Sequence, residues 1–136
     1  MIRLSNSQES TLVLFELSCT SYVTVHEDKL FFSDGFKGVK GIVACCDMKG
    51  TMIWKFEDHT VLDKTHGLGV DDHKNVYVVG YESNNVVVIS SDGKHCKQLS
   101  QKDSFQNPIG LFYDKRRKCV LVFTHKGGVV IYSFTI

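Results

Sequence analysis

The sequence predicts an all-β chain, a partial β-propeller of about three four-stranded blades. Two observations predict it. The first is an internal repeat: an offset of 43 positions carries Gly67-Leu68 onto Gly110-Leu111 and Asp71 onto Asp114. The same offset carries Val76-Tyr77-Val78-Val79 onto Cys119-Val120-Leu121-Val122, and Val86 to Ile89 onto Val129 to Tyr132. Backwards, it places Val86 to Ile89 on Val43 to Cys46. A period of about 40–45 residues that holds four short strands is the mark of a propeller blade. The second observation is the punctuation. Short runs of β-branched and aromatic residues are separated by Asp-Gly, Asn-Asn and Gly-Gly turns, and no helical period appears.

The best-formed unit is the stretch from Gly67 to Leu99, GLGVDDHKNVYVVGYESNNVVVISSDGKHCKQL. It reads as strands near Gly67–Asp71, Asn75–Gly80, Asn85–Ser90 and His95–Ser100. The unit before it has strands near Ser21–Val25, Lys29–Ser33, Ile42–Cys46 and Met52–Glu57. The unit after it has strands near Ile109–Tyr113, Cys119–Thr124 and Gly128–Phe134. Thr11 to Leu17 reads as a lone strand in the slot of a fourth strand. Residues 1–20 are therefore assigned to a preceding or closing blade. Residues 21–136 form the blades, at about 21–62, 63–105 and 106–136. Gly50 and Gly93 suit the positive φ of tight hairpins, and Asn84-Asn85 and Gly127-Gly128 suit the second-to-third-strand turns. Pro108, the one proline, precedes a first strand, where no ladder donor is lost. Alternation along the strands assigns Leu68, Val70, Val76, Val78, Val86, Val88, Leu111, Val120 and Val122 to the core, and Trp54 to packing.

The order is one fourth strand, two whole units and three strands of a last unit. A propeller closed by its amino-terminal strand has this order, which would make Ile136 the end of the fold. Three blades fall short of the four to eight of closed propellers. The chain is thus expected to be a carboxy-terminal piece of a larger ring, or to self-associate to complete one.

Composition excludes several classes. With 136 residues, 43% hydrophobic and 23% charged, the chain has enough apolar content for one packed domain. A net charge of +1 gives no general pull toward nucleic acid or membrane. No apolar run approaches the roughly 20 residues of a membrane span, and MIRLSNSQES is too polar for a secretory signal. The five cysteines have no Cys-x-x-Cys spacing and are read as reduced thiols of a cytoplasmic protein. The six histidines, His26, His59, His66, His73, His95 and His125, form no i, i+2 or i, i+4 pair, so no metal site is expected. Asp71 and Asp114 recur at one repeat position and are read as turn residues. No nucleophile has a base beside it, and no cofactor motif is present.

The stretch GLGVDDHKNVYVVGYESNNVVVISSDGKHCKQL resembles the NHL-type repeat, and QNPIGLFYD looks like the opening of another. The resemblance covers about Ser21 to Ile136 and is best in the middle unit. It is to the carboxy-terminal propeller of tripartite-motif proteins of the NHL class. It implies a non-catalytic, substrate-recruiting module of a ubiquitin ligase whose RING-type domains are absent from this sequence. Single-stranded RNA binding is the alternative reading, and a calcium-dependent lactonase-like hydrolase a third.

In a propeller, the second-to-third-strand loops and the links between blades emerge on one face. Phe36, Lys37, Lys40, His59, Lys64, His66, Tyr81, Lys102, Phe105, Asn107, His125 and Lys126 fall there. From this set Phe36, Lys37, Lys40, His66, Tyr81, Lys102, Phe105, His125 and Lys126 are the expected partner-binding residues. Mixed aromatic and basic side chains suit a protein hot spot or base stacking. The dense run Lys115-Arg116-Arg117-Lys118 is a candidate phosphate contact, set against its reading as a solvated turn that deters edge pairing.

Overall fold

The computed structural model describes residues 21–35, 41–99 and 106–133. They form eleven strands and three antiparallel sheets. The first sheet, blade I, orders β1 (Tyr22–His26), β2 (Lys29–Asp34), β3 (Ile42–Asp47) and β4 (Met52–Glu57). Blade II orders β5 (Thr65–Val70), β6 (Val76–Gly80), β7 (Asn85–Ile89) and β8 (Cys96–Gln98). Blade III has three strands, β9 (Pro108–Asp114), β10 (Cys119–Thr124) and β11 (Val129–Ser133). The expected lone strand at Thr11 to Leu17 lies outside the described residues. So do Phe36, Lys37, Lys40, Lys102 and Phe105.

The blades stack face to face, and a buried seam fills each of the two gaps. Phe31, Val43, Cys45 and Trp54 of blade I meet Leu68, Val70, Val76, Val78, Val87 and Ile89 of blade II. Tyr77, Val79 and Val86, on the other face of blade II, meet Val120 and Val122 of blade III. Ladder partners such as Val78↔Val87 and Val79↔Val86 share a face, and successive residues alternate between faces. Blade II is therefore buried on both sides, which explains runs of valine where a half-exposed strand would alternate with polar residues. Val88 and Leu111, assigned to the core, are only half-buried. Val88 belongs to the seam with the three-stranded blade, and Leu111 lies on an inner strand beside the axis of the arc.

One expectation changes. Val76 and Val78 face blade I, and the residues of blade III that face backwards in the same way are Val120 and Val122. Val76 therefore corresponds to Val120, not to Cys119. The turn after Asp114 is one residue longer than the turn after Asp71, and the next hairpin is one residue shorter. The two changes cancel, so the ungapped alignment passes over them.

The turns behave as their residues suggest. Gly50, Gly93 and Gly127 have φ of 91°, 74° and 89°. Of the Asn84-Asn85 pair only Asn84 takes positive φ, at 51°. Asn85 is buried instead, donating from Nδ2 to the Val61 carbonyl at 2.6 Å. Gly69 has a different reason: a Cβ there would come within 2.8 Å of the Leu111 side chain, so glycine lets the inner strands β5 and β9 approach. Cys45 and Cys46 point to opposite faces of β3, into separate clusters. Burial raises both thiols, Cys45 to about 11, which leaves them protonated and unreactive at neutral pH.

Candidate functional site

Loops from all three blades converge on one rim, and hydrogen bonds hold their backbones. Tyr81, just after β6, donates its N–H to the Lys64 carbonyl at 2.9 Å. The Tyr81 carbonyl accepts from Asn107 Nδ2 at 3.2 Å, and the Asn107 N–H donates to Asn84 Oδ1 at 2.7 Å. His125, just after β10, donates its N–H to the Asn107 carbonyl at 3.0 Å. The Ser33 hydroxyl donates to the His66 carbonyl at 2.7 Å, which links blade I to blade II. These positions are set by main-chain bonds, so their side chains are free to serve another purpose.

The side chains form a row of rings across the arc. Tyr22 lies 5.8 Å from His66, His66 lies 5.3 Å from Tyr81, and Tyr81 lies 6.2 Å from His125, centroid to centroid. An irregularity between Thr65 and Leu68 places His66 in the row. Tyr22, His66, Tyr81 and His125 keep part or most of their surface open to solvent. Rings at these separations and tilts gain edge-to-face contact while still offering apolar area to a partner. Three of the expected site residues, His66, Tyr81 and His125, are brought together, and Lys126 is exposed beside His125. Tyr22 was not expected. It sits inside a first strand, and only the three-dimensional stacking of blades places it next to His66.

Charge around the row is mixed. Lys64 pairs with Glu82 at 2.9 Å and His59 with Glu57 at 3.4 Å, all well exposed. Burial first, and the Lys64 ammonium second, hold the His66 imidazole below its ordinary 6.5, so it is neutral at pH 7. Tyr22 Oη lies 3.4 Å from its Nδ1, in reach of that nitrogen when it is unprotonated. Because the folded value is lower, the unfolded chain binds this proton first. Stability is expected to fall as pH drops below about 6.5, until the folded imidazole is protonated too. Unfolding curves between pH 7 and 5 should show that slope, and His66→Asn should flatten it. An unchanged slope in the variant would refute this account of His66.

The basic run lies at the opposite end of the strands. Asp114 accepts from the Arg116 and Arg117 N–H groups and pairs with Arg117 Nη1 at 2.7 Å, while Lys118 pairs with Asp72 of blade II. Two of its four cations are thus engaged. Among the described residues Lys115 and Arg116 form no ion pair. The run does not join the row of rings.

On the axis side, a cleft of roughly 130 Å³ is lined by His26, Leu68, Val70, Phe112, Tyr113 and Lys115, among others. It is smaller than the roughly 300 Å³ at which ligand pockets begin. Asp71 is committed locally, accepting from the His73 and Asn75 N–H groups and from the Tyr77 hydroxyl. Among the described residues no group of three His, Cys, Asp or Glu side chains is placed to hold a metal ion.

No protein-family model and no curated protein matches the sequence. Solved structures do. The chain is similar to a streptogramin B lyase at a TM-score of 0.55 and 10% identity, over 82% of this chain and 39% of that one. It is similar to virginiamycin B lyase from Staphylococcus aureus at 0.52 and 13%, over 82% and 40%. A protein of unknown function from Bacteroides caccae gives 0.55 and 12%, over 85% and 47%. The chain spans less than half the length of these neighbours. At such identities the likeness shows the fold alone, an all-β partial propeller.

Proposed function

We propose that this chain is a protein-interaction module that captures a partner on the row Tyr22–His66–Tyr81–His125 and is not itself catalytic. The observation that carries this reading is the row itself: four solvent-accessible rings from three blades, on backbones pinned by hydrogen bonds. Rigid aromatic anchors amid mixed charge have the composition of interface hot spots. The NHL-type resemblance supports substrate recruitment for a ubiquitin ligase, with the transfer chemistry in other domains. Among the described residues the four cysteines are free thiols, three of them buried, which accords with a reducing compartment such as the cytoplasm.

The other readings have weaker support. An RNA site would draw on the basic run, but Arg117 and Lys118 are spent on carboxylates at the end away from the rings. A hydrolase or lyase, the latter being the activity named for two of the fold neighbours, would need convergent acid, base or metal ligands. Asp71 and Asp114 are occupied by their own turns.

Affinity capture with isotope coding tests the proposal. Tyr81→Ala/His125→Ala, whose main-chain bonds are unaffected, should deplete specifically bound proteins about tenfold or more, as expected for lost hot spots. Arg116→Ala, at the other end of the strands, should leave them. If the double variant is folded and retains the same partners, the row is not the site.

A further inference from the structure

The cleft on the axis side of the arc opens where the inner strands of all three blades meet. Strand alternation sets which side chains reach it. Tyr22 lies against His66 of blade II, so Thr24 and His26, on the same face of β1, also look toward blade II. Leu68 and Val70 face back from β5 toward blade I and form the apolar wall. Tyr113 stacks on Tyr77, and the exposed Lys115 follows two residues on.

Four polar side chains of this lining have no engagement elsewhere. Among the described residues Thr24, His26, Tyr113 and Lys115 make no side-chain hydrogen bond. His26 matters most, because it is only 7% exposed. Glu27 Oε1 stands 3.8 Å from its Nε2, beyond hydrogen-bond reach. That carboxylate pairs more closely with Lys74, at 3.1 Å. A buried polar group without a partner in the chain calls for one from outside it, and either tautomer of the imidazole keeps one N–H to donate. Main-chain donors add to these. β1, β5 and β9 are each paired along one edge only, and the other edge faces the axis. Alternate N–H groups on that edge have no ladder partner. The acids of the neighbouring turns are committed: Asp71 to its turn and Tyr77, Asp72 to Lys118 and Asp114 to Arg117. A set of donors around one ammonium without an ion pair selects an anion.

Size and wall chemistry narrow the class. About 130 Å³ is room for roughly four waters at about 30 Å³ each, which suits a headgroup with few carbons and not a nucleotide or sugar chain. Leu68 and Val70, both buried, cannot solvate a doubly charged phosphate, whose lost hydration one lysine would not offset. A monocarboxylate needs less, and a short apolar tail gains from the same wall.

We propose that the axis-side cleft binds a small monocarboxylate with a short apolar substituent. Lys115 and the His26 N–H hold the carboxylate, the Thr24 and Tyr113 hydroxyls flank it, and the substituent lies on Leu68 and Val70. The site is independent of the row of rings, since Tyr22 opens β1 in the row and His26 ends the strand in the cleft.

Nuclear magnetic resonance titration of the whole chain tests this, with sodium isobutyrate as the probe. The His26 ring signals and the amides of Val70 and Tyr113 should move saturably, with a Kd of about 1 mM or below for so few contacts. Those of Tyr81 and His125 should stay. Lys115→Met should weaken binding about tenfold, as for a lost charge-assisted hydrogen bond, and His26→Phe by a similar factor. Lys115 is exposed, so its variant keeps the fold and remains decisive should His26→Phe not fold. Isobutyramide, of the same shape without the charge, should not saturate these signals. No saturable movement, an undiminished response in Lys115→Met, equal binding of isobutyramide, or tighter binding of inorganic phosphate would each overturn the proposal.

Discussion

Replacing Trp54 by alanine is expected to cost about 3–5 kcal/mol, the range for a large buried aromatic, against a total of about 5–15 kcal/mol for a domain. Trp54 is 9% exposed and lies in the seam between blades I and II, its ring 6.3 Å from Phe31. Its Nε1 donates to the Ser91 carbonyl at 3.0 Å. The indole also lies flat against the turn of blade II, since a Cβ on Gly93 would come within 2.4 Å of it. One side chain thus ties β4 of the first blade to the outer hairpin of the second. Urea unfolding followed by far-ultraviolet circular dichroism gives the comparison. Trp54→Phe keeps much of the packing and loses the hydrogen bond, so it should cost about 1–2 kcal/mol. A Trp54→Ala variant within about 1 kcal/mol of the parent would show that the seam does not depend on this contact.

Asp71→Ala is expected to cost about 3 kcal/mol or more, several times the effect of Asp114→Ala at the equivalent position. The Asp71 carboxylate is buried and accepts four hydrogen bonds, at 2.8 to 3.1 Å, from His73 N, Asn75 N, Asn75 Nδ2 and Tyr77 Oη. Tyr77 is 6% exposed and stacks on Tyr113 at 6.1 Å, so losing Asp71 removes a buried hydrogen bond at the second seam. Asp114 also caps its turn, one residue longer, but its donors belong to exposed arginines that water can satisfy. Parallel unfolding curves decide the matter. Equal losses, or the larger loss at Asp114, would mean that the turn and not the buried tyrosine sets the energetics.

The strands were legible because their punctuation is chemical: Asp71, Asp92 and Asp114 each accept from backbone N–H groups two or more residues on, and glycine supplies positive φ where a hairpin needs it. Relations between blades were less legible. Runs such as VYVVG and NVVVI are apolar on both faces, so a one-residue slip leaves no polar residue misplaced, and the shift at Val120 passed unseen. The core plug Leu62, fully buried in the link between blades I and II, follows no strand alternation. Tyr22 and the cross-blade pairs Glu27–Lys74 and Asp72–Lys118 join residues about 45 positions apart, which only the stacking of blades brings together. The row of rings was half visible, because loop topology placed His66, Tyr81 and His125 on one face but could not supply the first-strand tyrosine.

A sheet covered on both sides also sets the order in which the chain opens. The amides of Val78 and Val79 lie in a strand whose five residues are all buried, between two seams, and neither neighbour can leave without exposing that strand. Their hydrogens should exchange with solvent only when the whole arc unfolds. Those of the exposed β8 exchange through local fraying. The middle blade is therefore the kinetic anchor of the molecule, and protection along its second strand reports the global stability that the ends cannot.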